Sequence, residues 1–159
     1  MHNVLMSAVD TFFIFCSVYL PLIFVGISFL YIYKKNGLAE VFFGIFVIFA
    51  AYILGFMLKL IFGVNRPFVI SGTQPLFLPL DLYSFPSLHA TVLSSFVVLF
   101  AYFFRKSLWV SIPVVALVLT ARVVSGVHTV VDMIFGVLFG LLVAAIILLL
   151  RRIAKPYLH

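Results

Sequence analysis

Few of the 159 residues can take part in chemistry, and most of those that can fall into three groups: Lys59 with Arg66-Pro67; Pro86-Ser87-Leu88-His89; and Arg122 with His128 and Asp132. Three cations and two histidines around one carboxylate describe a site for an anion. The planar fork of Arg matches phosphate oxygens, and Lys adds a point charge. Ser87 stands where a helix would begin, so first-turn N–H groups and the positive end of the helix dipole would face the same anion. His128 and Asp132 are four apart, on one face of a helix. That spacing lets the carboxylate hold one ring nitrogen and leaves the other free to attack or to take a proton.

If the anion is a phosphate ester, the candidates for its attacker narrow. The four carboxylates, Asp10, Glu40, Asp81 and Asp132, are scattered and three of them lie outside the groups, which argues against a two-metal site. Cys16 is the only cysteine, so an intrachain disulfide and a Cys-based zinc site are both excluded. It also lies in an apolar run with no phosphate loop after it. A glycine-rich loop ending in Lys-Ser or Lys-Thr is absent. Two histidines remain, a pair suited to covalent catalysis in which one attacks phosphorus and the other protonates the leaving oxygen.

The elements that must position these residues are membrane helices. The chain is 66% hydrophobic and 9% charged, with a mean hydropathy of +1.36, whereas soluble domains carry about 25% charged residues. A soluble globule is excluded. The expected fold is all-α, a polytopic membrane helix bundle of about five spans forming a single integral-membrane domain over 1–159. The spans are expected at about Thr11–Tyr33, Val41–Phe62, Ser87–Phe104, Leu108–Val124 and Thr129–Leu150. Pro21 is tolerated as a kink. No Lys or Arg precedes the first apolar run, so that run is expected to be a permanent span and not a cleaved signal peptide. The motif-bearing stretch 64–86 is the only long loop, and its Phe, Leu and Ile content places it against the headgroups.

The net charge of +6 comes from ten Lys and Arg against four Asp and Glu. Lys34, Lys35, Arg105, Lys106, Arg151, Arg152 and Lys155 all follow odd-numbered spans, which puts the N-terminus outside and the C-terminus in the cytoplasm. Topology explains these seven, and no nucleic-acid partner is implied. Lys59, Arg66 and Arg122 lie at the opposite face with His89, His128 and Asp132. Ionisable groups at membrane depth cost about 2.5–3.5 kcal/mol each and usually mark function. Compactness points to a bacterial plasma membrane.

Taken together, Lys59, Arg66-Pro67, Pro86-Ser87-Leu88-His89, Arg122, His128 and Asp132 resemble the three-part signature of the type 2 phosphatidic acid phosphatase superfamily. That superfamily includes bacterial undecaprenyl pyrophosphate phosphatases, phosphatidylglycerophosphate phosphatases and, more distantly, vanadium haloperoxidases. The resemblance implies that His128 is the nucleophile forming a phosphohistidine, Asp132 its orienting partner and His89 the acid for the leaving group. Lys59, Arg66, Ser87, the Leu88 backbone N–H and Arg122 would bind phosphoryl oxygens, with no metal or cofactor. Two positions depart from the pattern: Leu88 stands where the family usually has Gly, and Ala121 where it usually has Ser. Members commonly have six spans, and this chain is expected to lack the first.

The substrate implied is a lipid phosphate in the membrane, with undecaprenyl diphosphate the first choice on small size, an outward site and the Asn65-Arg66-Pro67-Phe68 and Phe85-Pro86-Ser87 neighbourhoods. Phosphatidylglycerophosphate and phosphatidate come next. The rival from another class is a catalytically silent phospholipid-binding membrane protein, which Leu88 and Ala121 keep open. Gly136 and Gly140 form a small-xxx-small pair assigned to helix packing, and the twenty Phe residues are expected to be lipid-facing bulk.

Overall fold

The computed structural model describes residues 7–79, 81 and 83–154; Lys155 therefore lies outside the described residues. Helix α1 (Ala8–Asn36) starts at a capping box: the Ser7 hydroxyl accepts from the Asp10 N–H at 3.1 Å, and the Asp10 carboxylate accepts from the Ser7 N–H at 3.0 Å. Gly37, at φ 88°, breaks it from α2 (Leu38–Phe62), and Gly63 ends α2 in the left-handed region at φ 56°. A short helix α3 (Pro67–Ser71) follows, with Pro67 at its first position. Helix α4 (Leu88–Phe103) leads through a 3₁₀ turn, Arg105–Ser107, into α5 (Leu108–Val124) and then α6 (Val130–Ala154).

Among the described residues the five expected spans appear as five apolar helices, and four reach membrane-crossing length, α5 together with the 3₁₀ turn before it (Arg105–Val124). The exception is α4. Its 16 residues make about 24 Å of helix, short of the roughly 30 Å hydrocarbon core. It is also the best-enclosed helix, burying Ala90, Thr91, Leu93, Ser94, Ser95, Phe96 and Leu99. An inner helix touches protein more than lipid and has no need to match the bilayer.

The core joins Phe24 of α1, Val47 of α2, Leu93, Phe96 and Leu99 of α4, Val115 and Val118 of α5, and Ala144 of α6. The phenylalanines divide between two roles, correcting the purely lipid-facing reading. Phe42, Phe46 and Phe49 are exposed, whereas Phe24 and Phe96 are buried and meet edge to face at 5.9 Å.

Helix α6 lies hard against α4 because Gly136 and Gly140 face it. A Cβ on Gly136 would come within 2.7 Å of both Ala90 Cβ and the Ser87 carbonyl, and one on Gly140 would overlap Ser94 and the Thr91 carbonyl. At the far end of the bundle, Arg151 donates to Glu40 at 2.6 Å and covers the Phe43 ring at 4.1 Å, tying α6 to α2. The basic ends of α1, α4 and α6 gather at that end, away from the residues that could do chemistry.

Candidate active site

The other end of the bundle collects every residue singled out from the sequence. Lys59 occupies the last turn of α2, Arg66 the N-cap of α3, Ser87 the N-cap of α4, and Leu88 and His89 its first turn. Arg122 lies in the last turn of α5, His128 in the connection to α6, and Asp132 in the first turn of α6. Lys59, Arg66, Ser87, Arg122, His128 and Asp132 are all buried.

The loop 64–86 closes on itself at its base. Asn65 pairs with Tyr83, and the Ser84 N–H donates to the Val64 carbonyl at 2.8 Å. That closure brings Asp81 back over the end of α2. The Lys59 ammonium donates to Asp81 Oδ2 and to the Tyr83 carbonyl, both at 2.5 Å. The Arg66 guanidinium pairs with Asp81 Oδ1, and its Nε donates to the Asp81 carbonyl at 3.0 Å. This corrects the sequence reading, which left Asp81 outside the groups. Burial alone would push the Asp81 carboxyl up, but Lys59 and Arg66 hold it below the usual carboxylate range. Burial pulls the Arg66 guanidinium down from its ordinary value, against the opposing field of Asp81 and Asp132.

His128 sits between the cations and Asp132. Arg66 Nη1 and Arg122 Nη2 each stand 3.4 Å from its Nε2. Guanidinium nitrogens only donate, so Nε2 must turn its lone pair towards them and the ring proton belongs on Nδ1. Asp132 Oδ2 lies 3.4 Å from Nδ1, close but not aligned for a straight hydrogen bond. The carboxylate is fixed by a reciprocal pair with Thr129: the Thr129 N–H donates to Asp132 Oδ2 at 2.7 Å, and the Asp132 N–H donates to Thr129 Oγ1 at 3.2 Å. Burial pushes the His128 imidazole down to about 4; Arg122, Arg66 and Lys59 act in the same direction and Asp132 opposes them. The ring is neutral at physiological pH with a free electron pair on Nε2.

Arg122 is the least satisfied cation. Its Nη1 reaches the Ser17 carbonyl at 3.4 Å, and its buried Nε has no partner among the described residues. A buried guanidinium N–H without an acceptor is costly, and an arriving anion would relieve it.

Ser87 behaves as an N-cap, its hydroxyl accepting from the Ala90 N–H at 3.4 Å. Its own N–H is taken by the Asp132 carbonyl at 3.1 Å, so it is not among the free donors expected at this helix start. That bond fixes the start of α4 against the first turn of α6. The N–H groups of Leu88 and His89, in the first turn, have no helical acceptor. The side chain of Leu88 rests against Gly55 of α2, where a Cβ would come within 2.8 Å of Leu88 Cδ2. A glycine on the facing helix thus makes room for the bulk that Leu88 adds.

His89 joins the group through a cavity of about 440 Å³ that it shares with Leu88, Asp81 and Arg122 and that Phe77, Leu78, Tyr52 and Phe56 also line. Three polar side chains, Asp81, His89 and Arg122, in an otherwise apolar cavity suit a ligand with a charged head and an apolar body. Among the described residues no three His, Cys, Asp or Glu side chains form a group that could hold a metal ion.

Asp81 and Thr129 are the contributors that residue spacing did not reveal. Asp81 lies in a proline-containing loop with no period to reveal it. Thr129 had a legible signal, a Thr three residues before an Asp at a helix start.

The family model described as the PAP2 superfamily matches residues 40–155, a range that holds all of these side chains. No curated protein matches the chain. Among solved structures, the crystal structure of the first transmembrane PAP2 type phosphatidylglycerolphosphate phosphatase from Bacillus subtilis superposes with a TM-score of 0.70 at 22% identity, covering 91% of this chain and 75% of that one. The likeness extends the shared fold into α1, ahead of the family match. The chain belongs to the PAP2 superfamily and is an integral-membrane phosphatase acting on lipid phosphates.

Proposed function

We propose that the protein removes a phosphate from a lipid phosphate or polyprenyl diphosphate, undecaprenyl diphosphate first, through a phosphohistidine on His128 and without a metal. The observation that carries this reading is the placement of His128: Nε2 between two guanidiniums and Nδ1 beside Asp132. In the free protein the arginine N–H groups face Nε2. Phosphoryl oxygens are better acceptors for those N–H groups. A bound phosphate therefore draws off Arg66 and Arg122 and leaves the Nε2 lone pair facing phosphorus.

Nε2 attacks phosphorus, the bond to the leaving oxygen breaks, and His89 delivers the proton that oxygen needs to depart as an alcohol or as a lipid monophosphate. The negative charge of Asp132 balances the positive charge that develops on the phosphorylated ring. Water then attacks phosphorus and gives its proton to His89. The P–N bond breaks, inorganic phosphate leaves, and both histidines return to their starting states. Lys59, Arg66, Arg122, the Ser87 hydroxyl and the Leu88 N–H hold the equatorial oxygens.

The whole chain acts as one membrane domain, with the N-terminus outside, the C-terminus in the cytoplasm and the site on the outer face of a bacterial plasma membrane. The gathering of the basic helix ends at the opposite end of the bundle supports this orientation. The fold shared with a phosphatidylglycerolphosphate phosphatase makes that lipid the second reading, with phosphatidate beside it.

Rapid quenching into alkaline denaturant, which preserves a P–N bond that acid would hydrolyse, with substrate labelled in the transferred phosphate tests the mechanism. Label is expected on the wild-type chain and absent from His128→Ala; label that persists in His128→Ala refutes the nucleophile. Hydrolysis of undecaprenyl diphosphate, phosphatidylglycerophosphate and phosphatidate, compared side by side in detergent, ranks the substrates. Absence of phosphate release from all three would return the silent lipid-binding alternative.

A further inference from the structure

The carboxylate of Asp81 occupies the two cations that a phosphate should occupy. Lys59 and Arg66 are both buried, and both direct side-chain donors at its two oxygens. Asp81 itself is about one-third exposed, with a side-chain accessibility of 34%, and it lines the cavity with His89 and Arg122. It hangs on the irregular stretch between α3 and α4, the part of the site not carried by a long helix. Among the described residues the third cation, Arg122, has no carboxylate on it and an unpartnered Nε.

We propose that Asp81 is a built-in competitor for the phosphate site that lets phosphomonoesters and diphosphates in and keeps phosphodiester lipids out. The inference rests on the phosphatase reading above. Common membrane phospholipids are phosphodiesters with one negative charge and two non-bridging oxygens, and they surround the protein in large excess over any substrate. A cluster of three cations at the membrane surface would attract them.

With Asp81 in place, a diester gains nothing by entering. It exchanges a tethered carboxylate of equal charge, held at high effective concentration, for an untethered monoanion. Its two free oxygens cannot serve Lys59, Arg66 and Arg122 together. A terminal phosphate carries a charge of about −1.5 to −2 at neutral pH and three free oxygens, so it can displace Asp81 and satisfy all three cations at once. Discrimination arises from an unfavourable exchange imposed on the wrong ligand.

The test uses the detergent-purified full chain, with dioctanoyl phosphatidate as substrate and dioctanoyl phosphatidylglycerol as the phosphodiester probe. For the wild type, the inhibition constant of phosphatidylglycerol should exceed the KM for phosphatidate by roughly tenfold or more, the scale of one charge contact at a recognition site. In Asp81→Asn, equilibrium binding of phosphatidylglycerol should tighten about tenfold and inhibition should become competitive, with the KM for phosphatidate lowered because no carboxylate has to be displaced. Asp81→Glu, which keeps the charge, should retain the weak binding of phosphatidylglycerol.

The proposal is overturned if wild type and Asp81→Asn bind phosphatidylglycerol equally. It is also overturned if Asp81→Asn raises the KM without new inhibition, the behaviour of a residue that only holds Lys59 and Arg66 in place. Should Asp81→Asn fail to fold, a wild type that binds the diester as tightly as the monoester refutes it alone. The binding comparison needs no turnover. A wild type that hydrolyses nothing would therefore sink the phosphatase reading while still deciding the role of Asp81.

Discussion

Replacing Asp132 by Asn isolates the electrostatic part of the proposed mechanism. The amide oxygen can still accept from the Thr129 N–H, now donated to the carboxylate at 2.7 Å, so the start of α6 keeps its cap. Only the charge beside the His128 ring disappears. At 3.4 Å from Nδ1, a full charge on the ring interacts with the carboxylate by about 5 kcal/mol at an effective dielectric constant near 20. If half a charge has developed in the transition state, the loss is about 2.5 kcal/mol, a fall in kcat of about fiftyfold to a hundredfold. The KM should change little, because phosphate binding falls to Lys59, Arg66 and Arg122. Steady-state hydrolysis of a short-chain lipid phosphate in detergent measures both constants, and thermal melting of each variant checks the fold. A kcat within threefold of wild type would refute the electrostatic role of Asp132. So would a raised KM at unchanged kcat.

Three further outcomes follow from the same geometry. Because His128 is held down to about 4, protonation of the nucleophile should cut kcat/KM only as the pH falls through about 4, once the second ionisation of the substrate near pH 6 is divided out; an acid limb at the ordinary histidine value would contradict the burial of the ring. Protonation of the same ring destabilises the fold: with its folded value below the unfolded 6.5, stability is complete above about 6.5 and is lost as the pH falls from there towards 4, which melting temperatures in detergent will show. Gly55→Ala places a methyl group within 2.8 Å of Leu88 Cδ2 and should lower kcat/KM several-fold by pushing Leu88 towards His89; Leu88→Ala added to it should restore activity, and independent effects of the two changes would count against the pairing. Gly136→Ala forces α6 off the Ser87 carbonyl and Ala90, with an expected loss of about 1–3 kcal/mol by overpacking and a fall in kcat as Asp132 shifts, read together from melting and turnover.

The membrane helices were legible because burial in lipid is a demand on composition. Each run of apolar residues that ends in Lys34-Lys35, Arg105-Lys106 or Arg151-Arg152 became a helix, and the far-end pairing of Arg151 with Glu40 joined α6 to α2 without any signal in their spacing. Helix ends were off by a few residues where capping decided them: Ser7 starts α1 ahead of the expected Thr11 through a box with Asp10, and Gly37 extends it past Tyr33. The length of α4 was not a composition signal. Its brevity follows from being enclosed by other helices, which depends on the glycines of α6 and α2 and is invisible within α4 itself.

The site divides along the same line. Residues carried by helix ends, such as Lys59, His89, Arg122 and Asp132, could be assigned to one face because a helix converts sequence position into height. Asp81 could not, because a loop carries no such conversion: its position depends on the Asn65 and Tyr83 pairing that closes the loop base. The omission alters the charge balance. Counted from the helix-borne residues alone, the site holds three cations against Asp132, an excess that would make it a general trap for anions. With Asp81 included, three cations face two carboxylates, Lys59 and Arg66 share one of them, and among the described residues Arg122 is the cation left with an unpartnered N–H. A site in that state responds to the number of charges and free oxygens that a ligand brings, and is indifferent to a single charge. In a membrane crowded with singly charged phosphodiesters, that is the property a phosphatase of rare lipid phosphates requires.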